Sequence, residues 1–177
     1  MKKFLLAIAL MASSYGVHAQ EAVSPLNKGN WLIETSLSPF SLTNTSGLSF
    51  KYNDKDYEWS IGGEGGYFIQ NNLALKAGLG VLSINNTIGD GSITDTYLSY
   101  KVGAKYYFKH VIPLQIDFGG ITTSEDNSLF AGIQAGYAWF VKDNIAIEPS
   151  LRYDHGLNNT ASDIRTVSAR IGFSLFF

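Results

Sequence analysis

The sequence predicts an all-β fold, a single domain that forms an eight-stranded antiparallel up-and-down barrel. Three observations support this prediction. Apolar and polar residues alternate with a period of two through nearly all of the chain after Gly29, as they do in half-buried strands. No segment shows the periodicity of an amphipathic helix. The connections alternate between tight turns and longer polar segments, as the two ends of an up-and-down barrel require.

Eight runs carry the alternation and are the predicted strands. They are Trp31–Phe40, Tyr57–Ile69, Leu73–Ser83, Asp95–Phe108, Pro113–Thr122, Ser128–Val141, Ile145–Leu157 and Thr166–Phe177. The longer connections are Ser41–Asp56, Ile84–Thr94, Thr123–Asn127 and Asn158–Arg165. A short extra run, Leu48–Asn53, lies in the first of these. A ninth strand would give an odd count, so we expect this run to be either a loop hairpin or an extension of a barrel strand.

The N-terminus has the features of a secretory signal peptide. Lys2 and Lys3 precede a short apolar stretch, Phe4–Met11, and Val17-His18-Ala19 resembles a cleavage site. The apolar stretch is shorter than the roughly 20 residues that a transmembrane helix needs. We therefore expect residues 1–19 to be a signal peptide, residues 20–29 to be a short periplasmic tail, and residues 30–177 to form the barrel domain.

Composition argues against several classes of function. The chain has no cysteine, so disulfides, thiolate metal sites and catalytic thiols are excluded. The formal net charge is −2 and no basic stripe is present, which argues against a nucleic-acid partner. The glycine-rich run Gly62–Gly66 lacks the Gly-Lys-Ser/Thr of a phosphate-binding loop and does not precede a helix. We predict no cofactor and no metal site.

The polar face of the predicted strands carries charges and glycines, whereas the apolar face carries no charged residue. The candidate charge network comprises Glu34, Glu64, Lys76, Lys101, Lys105, Asp117, Glu148, Arg152, Asp154 and Arg170. An eight-stranded barrel is just wide enough for its interior to be filled by side chains. Buried charges need partners, so we predict ion pairs across the lumen that join Glu148, Glu64 or Asp117 to Arg152, Arg170 or Lys101.

Aromatic residues of the apolar face fall into two belts. The predicted lipid-interface aromatics are Trp31, Tyr57, Trp59, Tyr67, Tyr106, Phe108, Tyr137 and Trp139. Tyr57 and Tyr67 would lie about 34 Å apart along one strand, which a tilt of about 40° reduces to roughly 26 Å, close to the ~25 Å apolar band of membrane barrels. This spacing predicts a transmembrane β-barrel with its apolar face outside. A soluble lipocalin-like carrier with its apolar face inside is the alternative fold.

Two strand–turn–strand motifs and the C-terminus resemble a known family. Gly66–Leu75, Gly136–Ile147 and the closing Ile171–Phe177 are similar to segments of the outer-membrane β-barrel domain family, the small OmpA-, OmpX- and OmpW-like barrels of the porin family. The resemblance covers about Gly29 to Phe177. It implies a place in the cell outer membrane of a Gram-negative bacterium. It also implies that Ile171, Phe173, Leu175 and Phe177 form the signal read by the barrel-assembly machinery.

The resemblance is specific for fold and location and leaves the activity open. We expect a structural or surface-interaction role, in membrane integrity or adhesion, with a side-chain-plugged interior. The alternative is a narrow porin-like channel for small solutes. Expected partners are outer-membrane lipid, lipopolysaccharide, the assembly machinery and a surface ligand whose identity is open. An enzyme is not expected, because Ser150 and Asp154 point inward in our register whereas His155 points outward.

Overall fold

The computed structural model describes residues 24–37, 45, 47–53, 56–88, 91–123, 126–161 and 163–177. Within these residues the chain forms ten strand segments. They are β1 (Trp31–Leu37), β2 (Gly47–Asn53), β3 (Asp56–Gln70), β4 (Leu73–Ile88), β5 (Gly91–Phe108), β6 (Ile112–Thr122), β7 (Asn127–Gly136), β8 (Trp139–Lys142), β9 (Ile145–Gly156) and β10 (Arg165–Phe176). In this part of the chain, no helix is long and apolar enough to cross a membrane.

The ten described segments make up eight strands of a closed antiparallel barrel. β2 continues the line of β1 along β3, because Glu34 lies opposite Glu64 and Gly47 lies opposite Gly62. In the same way β8 continues β7 along β9. β1 also pairs with β10, which joins the first strand to the last and closes the sheet. The predicted all-β up-and-down barrel is confirmed.

The observed strands explain the short extra run and correct one predicted loop. Gly47–Asn53 is an extension of the first barrel strand, one of the two expected options. The predicted loop Ile84–Thr94 is instead largely a β-ribbon, with β4 and β5 paired as far as Ile88 and Gly91. Polar residues on both faces of this ribbon hide its strand periodicity in the sequence. Residues 38–40 of the first predicted run lie outside the described residues, as does the predicted signal peptide.

Tight turns and both barrel termini share one end of the molecule, which we call the turn end; the opposite end is the loop end. The β5–β6 turn places Lys109 and His110 at φ values of 52° and 66°, and the β3–β4 turn places Asn72 at 67°. The β3–β4 and β8–β9 turns each have two residues between paired positions, and the β5–β6 turn has three. The turn end is therefore a set of short hairpins.

An apolar cluster fills the barrel at the turn end, and we call it the apolar cork. It consists of Leu26, Leu32, Phe68, Ala74, Tyr107, Ala138, Ala146 and Phe176, with Phe140 packed against them. The segment before β1 belongs to this structure. The backbone N–H of Asn72 donates to the carbonyl of Leu26 (2.8 Å), and that of Gly29 donates to the carbonyl of Phe68 (2.9 Å). The described part of the predicted tail thus packs against the barrel.

Candidate functional site: the charged lumen and the apolar outer wall

All ten predicted network residues point into the barrel, and each is at most 6% exposed. The strands explain this placement. Successive side chains point to opposite faces of a strand, and β10 alternates without interruption between exposed and buried positions from Val167 to Phe176. Above the cork, most of the buried inward positions are charged, polar or small, and Phe130 is a large apolar exception. The lumen is therefore a buried polar core enclosed by the strands.

One part of the network lies directly above the apolar cork. Lys76 donates to Glu34 (2.6 Å) and lies 2.9 Å from Glu64, which also accepts from Lys101 at 2.6 Å. Lys105 donates to Glu34 (3.1 Å) and to Glu148. These contacts form an alternating chain of anions and cations from Glu148 to Lys101. Alternation keeps like charges apart in a region that excludes water.

The other part of the network is centred on Arg152. Its Nη1 and Nη2 atoms donate to Asp117 at 2.7 and 2.6 Å, and its Nε atom donates to Asp154 at 2.9 Å. Such a two-pronged arginine–carboxylate pair fixes both partners in position. The amide of Gln115 accepts from Lys76 (2.9 Å) and donates to Asp117 (2.7 Å). Gln115 therefore joins the two parts into one continuous network.

The pairing agrees with the sequence in part. Glu64 pairs with Lys101 and Asp117 pairs with Arg152, as expected. Glu148 instead pairs with Lys105, which the sequence placed in the network without assigning it a partner. Arg170 is buried in the same lumen. Among the described residues, the network has five carboxylates and five cationic side chains, so its formal charge is balanced.

Glycines make room for the charged groups. A Cβ atom at Gly132 would lie 2.0 Å from Nη2 of Arg152, and one at Gly78 would lie 2.8 Å from Cγ of Glu64. These cross-strand neighbours explain why small and charged residues share the inward face. A larger residue at Gly132 would occupy the space of the guanidinium that binds Asp117 and Asp154.

Three further neutral partners, like Gln115, were not predicted from the sequence. Thr45 donates to Glu64 (3.1 Å), and both Tyr107 (2.8 Å) and Ser174 (3.0 Å) donate to Glu148. Tyr107 and Ser174 occupy inward positions of predicted strands, so their register was an available signal. Thr45 lies outside every predicted strand, and its position in the lumen depends on how the chain connects β1 to β2.

The outer wall is the apolar face of the strands. All eight predicted interface aromatics are at least 38% exposed there, and the rings of Trp31 and Tyr67 lie 5.0 Å apart. Along β10 the outward residues Ile171, Phe173 and Leu175 alternate with buried ones, and Phe177 follows them. The backbone of Phe177 exchanges two hydrogen bonds with Trp31 (2.7 and 3.0 Å). The C-terminal residue thus takes part in closing the barrel, and its role in assembly remains a prediction.

The only His/Asp/Ser grouping considered in the sequence does not converge within the described structure. Ser150 and Asp154 are buried in the lumen, whereas His155 faces outward, where its ring stacks on that of Tyr153 at 6.3 Å. The barrel wall separates the two sets. Among the described residues, no group of three His, Cys, Asp or Glu side chains is placed to hold a metal ion.

The comparisons with known proteins give structural matches only. No family model and no curated protein matches the sequence. The structure is similar to the N-terminal β-barrel domain of Pseudomonas aeruginosa OprF (TM-score 0.47, 14% identity, 85% of this chain and 98% of that one). It is also similar to the Yersinia pestis outer membrane protein Ail (0.48, 14%, 85% and 100%) and to the outer membrane protein AlkL (0.45, 14%, 93% and 96%).

Proposed function

We propose that this chain is a plugged outer-membrane β-barrel with a structural and surface-contact role. The observation that supports this proposal is that the polarity of the two faces of the barrel is the reverse of that in a soluble protein. Large apolar side chains cover the described outer wall, while carboxylates, lysines and arginines occupy the interior above the apolar cork. A soluble protein rarely exposes an apolar area of this extent, whereas a bilayer matches it. A charge on such a wall costs roughly 2–4 kcal/mol near the membrane midplane, which accounts for the absence of charge there.

The interior favours a plug over a conduit. The apolar cork fills the turn end, and the charge network crosses the lumen above it. Tyr107 connects the two layers, because its ring packs in the cork and its hydroxyl donates to Glu148. A solute would have to displace both layers. Several buried ion pairs would then lose their partners, at a cost of several kcal/mol each.

The β4–β5 ribbon is the element proposed for surface contact. Pairing between β5 and β6 begins at Leu98, and pairing between β3 and β4 begins at Asn85. Within the described residues, the part of the ribbon beyond these positions is therefore two-stranded and stands clear of the barrel wall. Residues 91–96 are all exposed. This exposed, two-stranded segment is the surface that we propose a partner would contact.

The test is to refold the chain without residues 1–19 into detergent, confirm a heat-modifiable band on a gel, and record planar-bilayer conductance. We expect a folded barrel that inserts and conducts no ions. Ile171→Arg is the control for insertion, because it places a charge on the outer wall. Discrete, reproducible openings from the folded barrel would contradict the plug and favour the narrow-channel alternative. Stable folding of a soluble monomer without detergent would contradict the membrane location.

A further inference from the structure

A groove of about 360 Å³ crosses the outer wall where β6, β7, β9 and β10 meet. Its outward side chains are Leu114, Ile133, Ala135, Leu151, Tyr153 and Val167. Ala135 forms the floor, because it lies directly opposite Leu114 on one side and Leu151 on the other, and both are larger. The groove is therefore a depression in the wall whose outward side chains are apolar apart from one tyrosine hydroxyl.

Two nitrogen-bearing side chains lie at the loop end of this groove. His155 and Arg165 are directly opposite each other on β9 and β10, one outward row beyond the opposed pair Tyr153 and Val167. Directly opposed residues of neighbouring strands have Cβ atoms about 5 Å apart, so both side chains can reach one ligand. Within the part of the chain that the structure describes, Arg165 makes no ion pair with a carboxylate.

The order of the apolar groove and the His155–Arg165 pair along the strands matches the order of acyl chain and head group in a bilayer lipid. The row that contains His155 and Arg165 lies four residues from the row of Ala135 and Leu151, about 14 Å along the strands. Tyr153, between them, is an exposed outward ring towards the loop end, and tyrosine rings sit at the level of lipid head groups. The apolar groove thus lies at the depth of acyl chains, and the pair lies at the depth of head-group phosphates.

We propose that this surface binds one lipid with a net negative phosphate head group, whose acyl chain lies in the groove and whose phosphate contacts Arg165 and His155. The proposal rests on the membrane location proposed above. Charge complementarity selects the head group, because a guanidinium binds phosphate oxygens through paired hydrogen bonds, whereas the choline cation of phosphatidylcholine would be repelled by Arg165. The small side chain of Ala135 provides the depth for the acyl chain.

The experiment compares lipid retention by native mass spectrometry after reconstitution with equal amounts of phosphatidylglycerol and phosphatidylcholine. We expect the unaltered barrel to retain one phosphatidylglycerol in preference to phosphatidylcholine. Arg165→Gln should reduce this retention about fivefold, since one cation near a membrane surface contributes about 1 kcal/mol. Ala135→Phe should reduce it similarly by filling the groove. Neither change touches the lumen, so the heat-modifiable band should persist.

Two variants are matched controls. Lys142→Gln removes an exposed cation at the turn end, and Ala77→Phe adds a ring at an exposed outward position on β4. Both should retain the lipid as the unaltered barrel does. Equal loss in the controls, or no preference for phosphatidylglycerol, would overturn the proposal. So would retention that survives Ala135→Phe but not Arg165→Gln, because the groove would then hold no acyl chain. A barrel that fails to enter bilayers at all would instead contradict the proposed function.

Discussion

Lys105 shows at the level of one residue how the lumen holds opposite charges. Its side chain is fully buried, and its ammonium group lies between the carboxylates of Glu34 and Glu148. Lys105→Met keeps much of the side-chain volume but leaves two buried carboxylates without their shared cation. We expect the free energy of unfolding to fall by about 3–5 kcal/mol, measured by denaturant titration of the barrel in detergent.

Two further variants make this prediction specific. Glu34 keeps its ion pair with Lys76 (2.6 Å) in the Lys105→Met variant, so Glu148 is the carboxylate that loses its cation. Glu148→Gln in the Lys105→Met background removes that charge and should recover part of the loss. Lys142→Met removes an exposed lysine and should change the free energy of unfolding by less than about 0.5 kcal/mol. If Lys105→Met were as stable as the unaltered barrel, the network would not stabilise the fold.

The surroundings of Gly103 and Gly63 predict that a substitution by alanine changes the free energy of unfolding differently at the two positions. A Cβ at Gly103 would lie 2.3 Å from the carbonyl oxygen of Ile116 and 2.5 Å from Cβ of Asp117, whereas one at Gly63 would meet nothing within 4 Å. Gly103→Ala should destabilise by about 1–3 kcal/mol, as overpacking does. Gly63→Ala should be neutral or stabilise by about 0.4–1 kcal/mol, because it restricts the unfolded chain. Equal unfolding midpoints for the two variants would contradict the described interior.

At the scale of elements, alternation was enough to predict the barrel strands but not all of their ends. The inward and outward register of β10 follows from its sequence, because each buried residue has exposed neighbours on either side. The same rule fails at the β4–β5 ribbon, where residues 91–96 are exposed on both faces and no apolar periodicity arises. Alternation also did not predict that Leu26 packs in the cork, because this contact depends on the hydrogen bond between the segment before β1 and Asn72 of the β3–β4 turn.

The ribbon should be dispensable for barrel stability. Joining Asn85 to Thr94 through Asn-Gly removes strand pairs that lie beyond β3 and β6 and leaves the pairs that close the barrel. Asn-Gly suits a two-residue hairpin turn. We expect the shortened barrel to keep its heat-modifiable band and its unfolding midpoint. The surface contacts proposed for the ribbon should be lost, which is scored by binding of intact cells to a host-cell layer. Loss of the folded band would show that the ribbon is part of the barrel core.

At the scale of the whole molecule, the outer wall and the charge network show the same feature, which is a polarity reversed relative to that of a soluble protein. Across the middle of the wall, charged side chains face inward, where opposite charges neutralise them, and the outward face carries apolar and aromatic side chains. The exposed cations Arg165 and Lys142 lie towards the two ends. The fold was predictable from local alternation, and the polarity of the two faces was predictable from the spacing of the aromatic residues and from the charges and glycines that share one face. The groove proposed for a lipid was not predictable from the sequence. It depends on which residues flank Ala135 on the neighbouring strands, and these are Leu114 and Leu151.

The most direct test of this reversed polarity is spin-label accessibility in lipid vesicles. The sequence contains no cysteine, so single cysteines can be introduced and labelled cleanly at Val102, Ile116 and Leu151 on the outer wall and at Thr94 on the ribbon. We expect the three wall labels to be reached by oxygen and protected from a water-soluble nickel complex, and the Thr94 label to show the reverse. Wall labels that the nickel complex reaches freely would contradict a barrel embedded in a membrane.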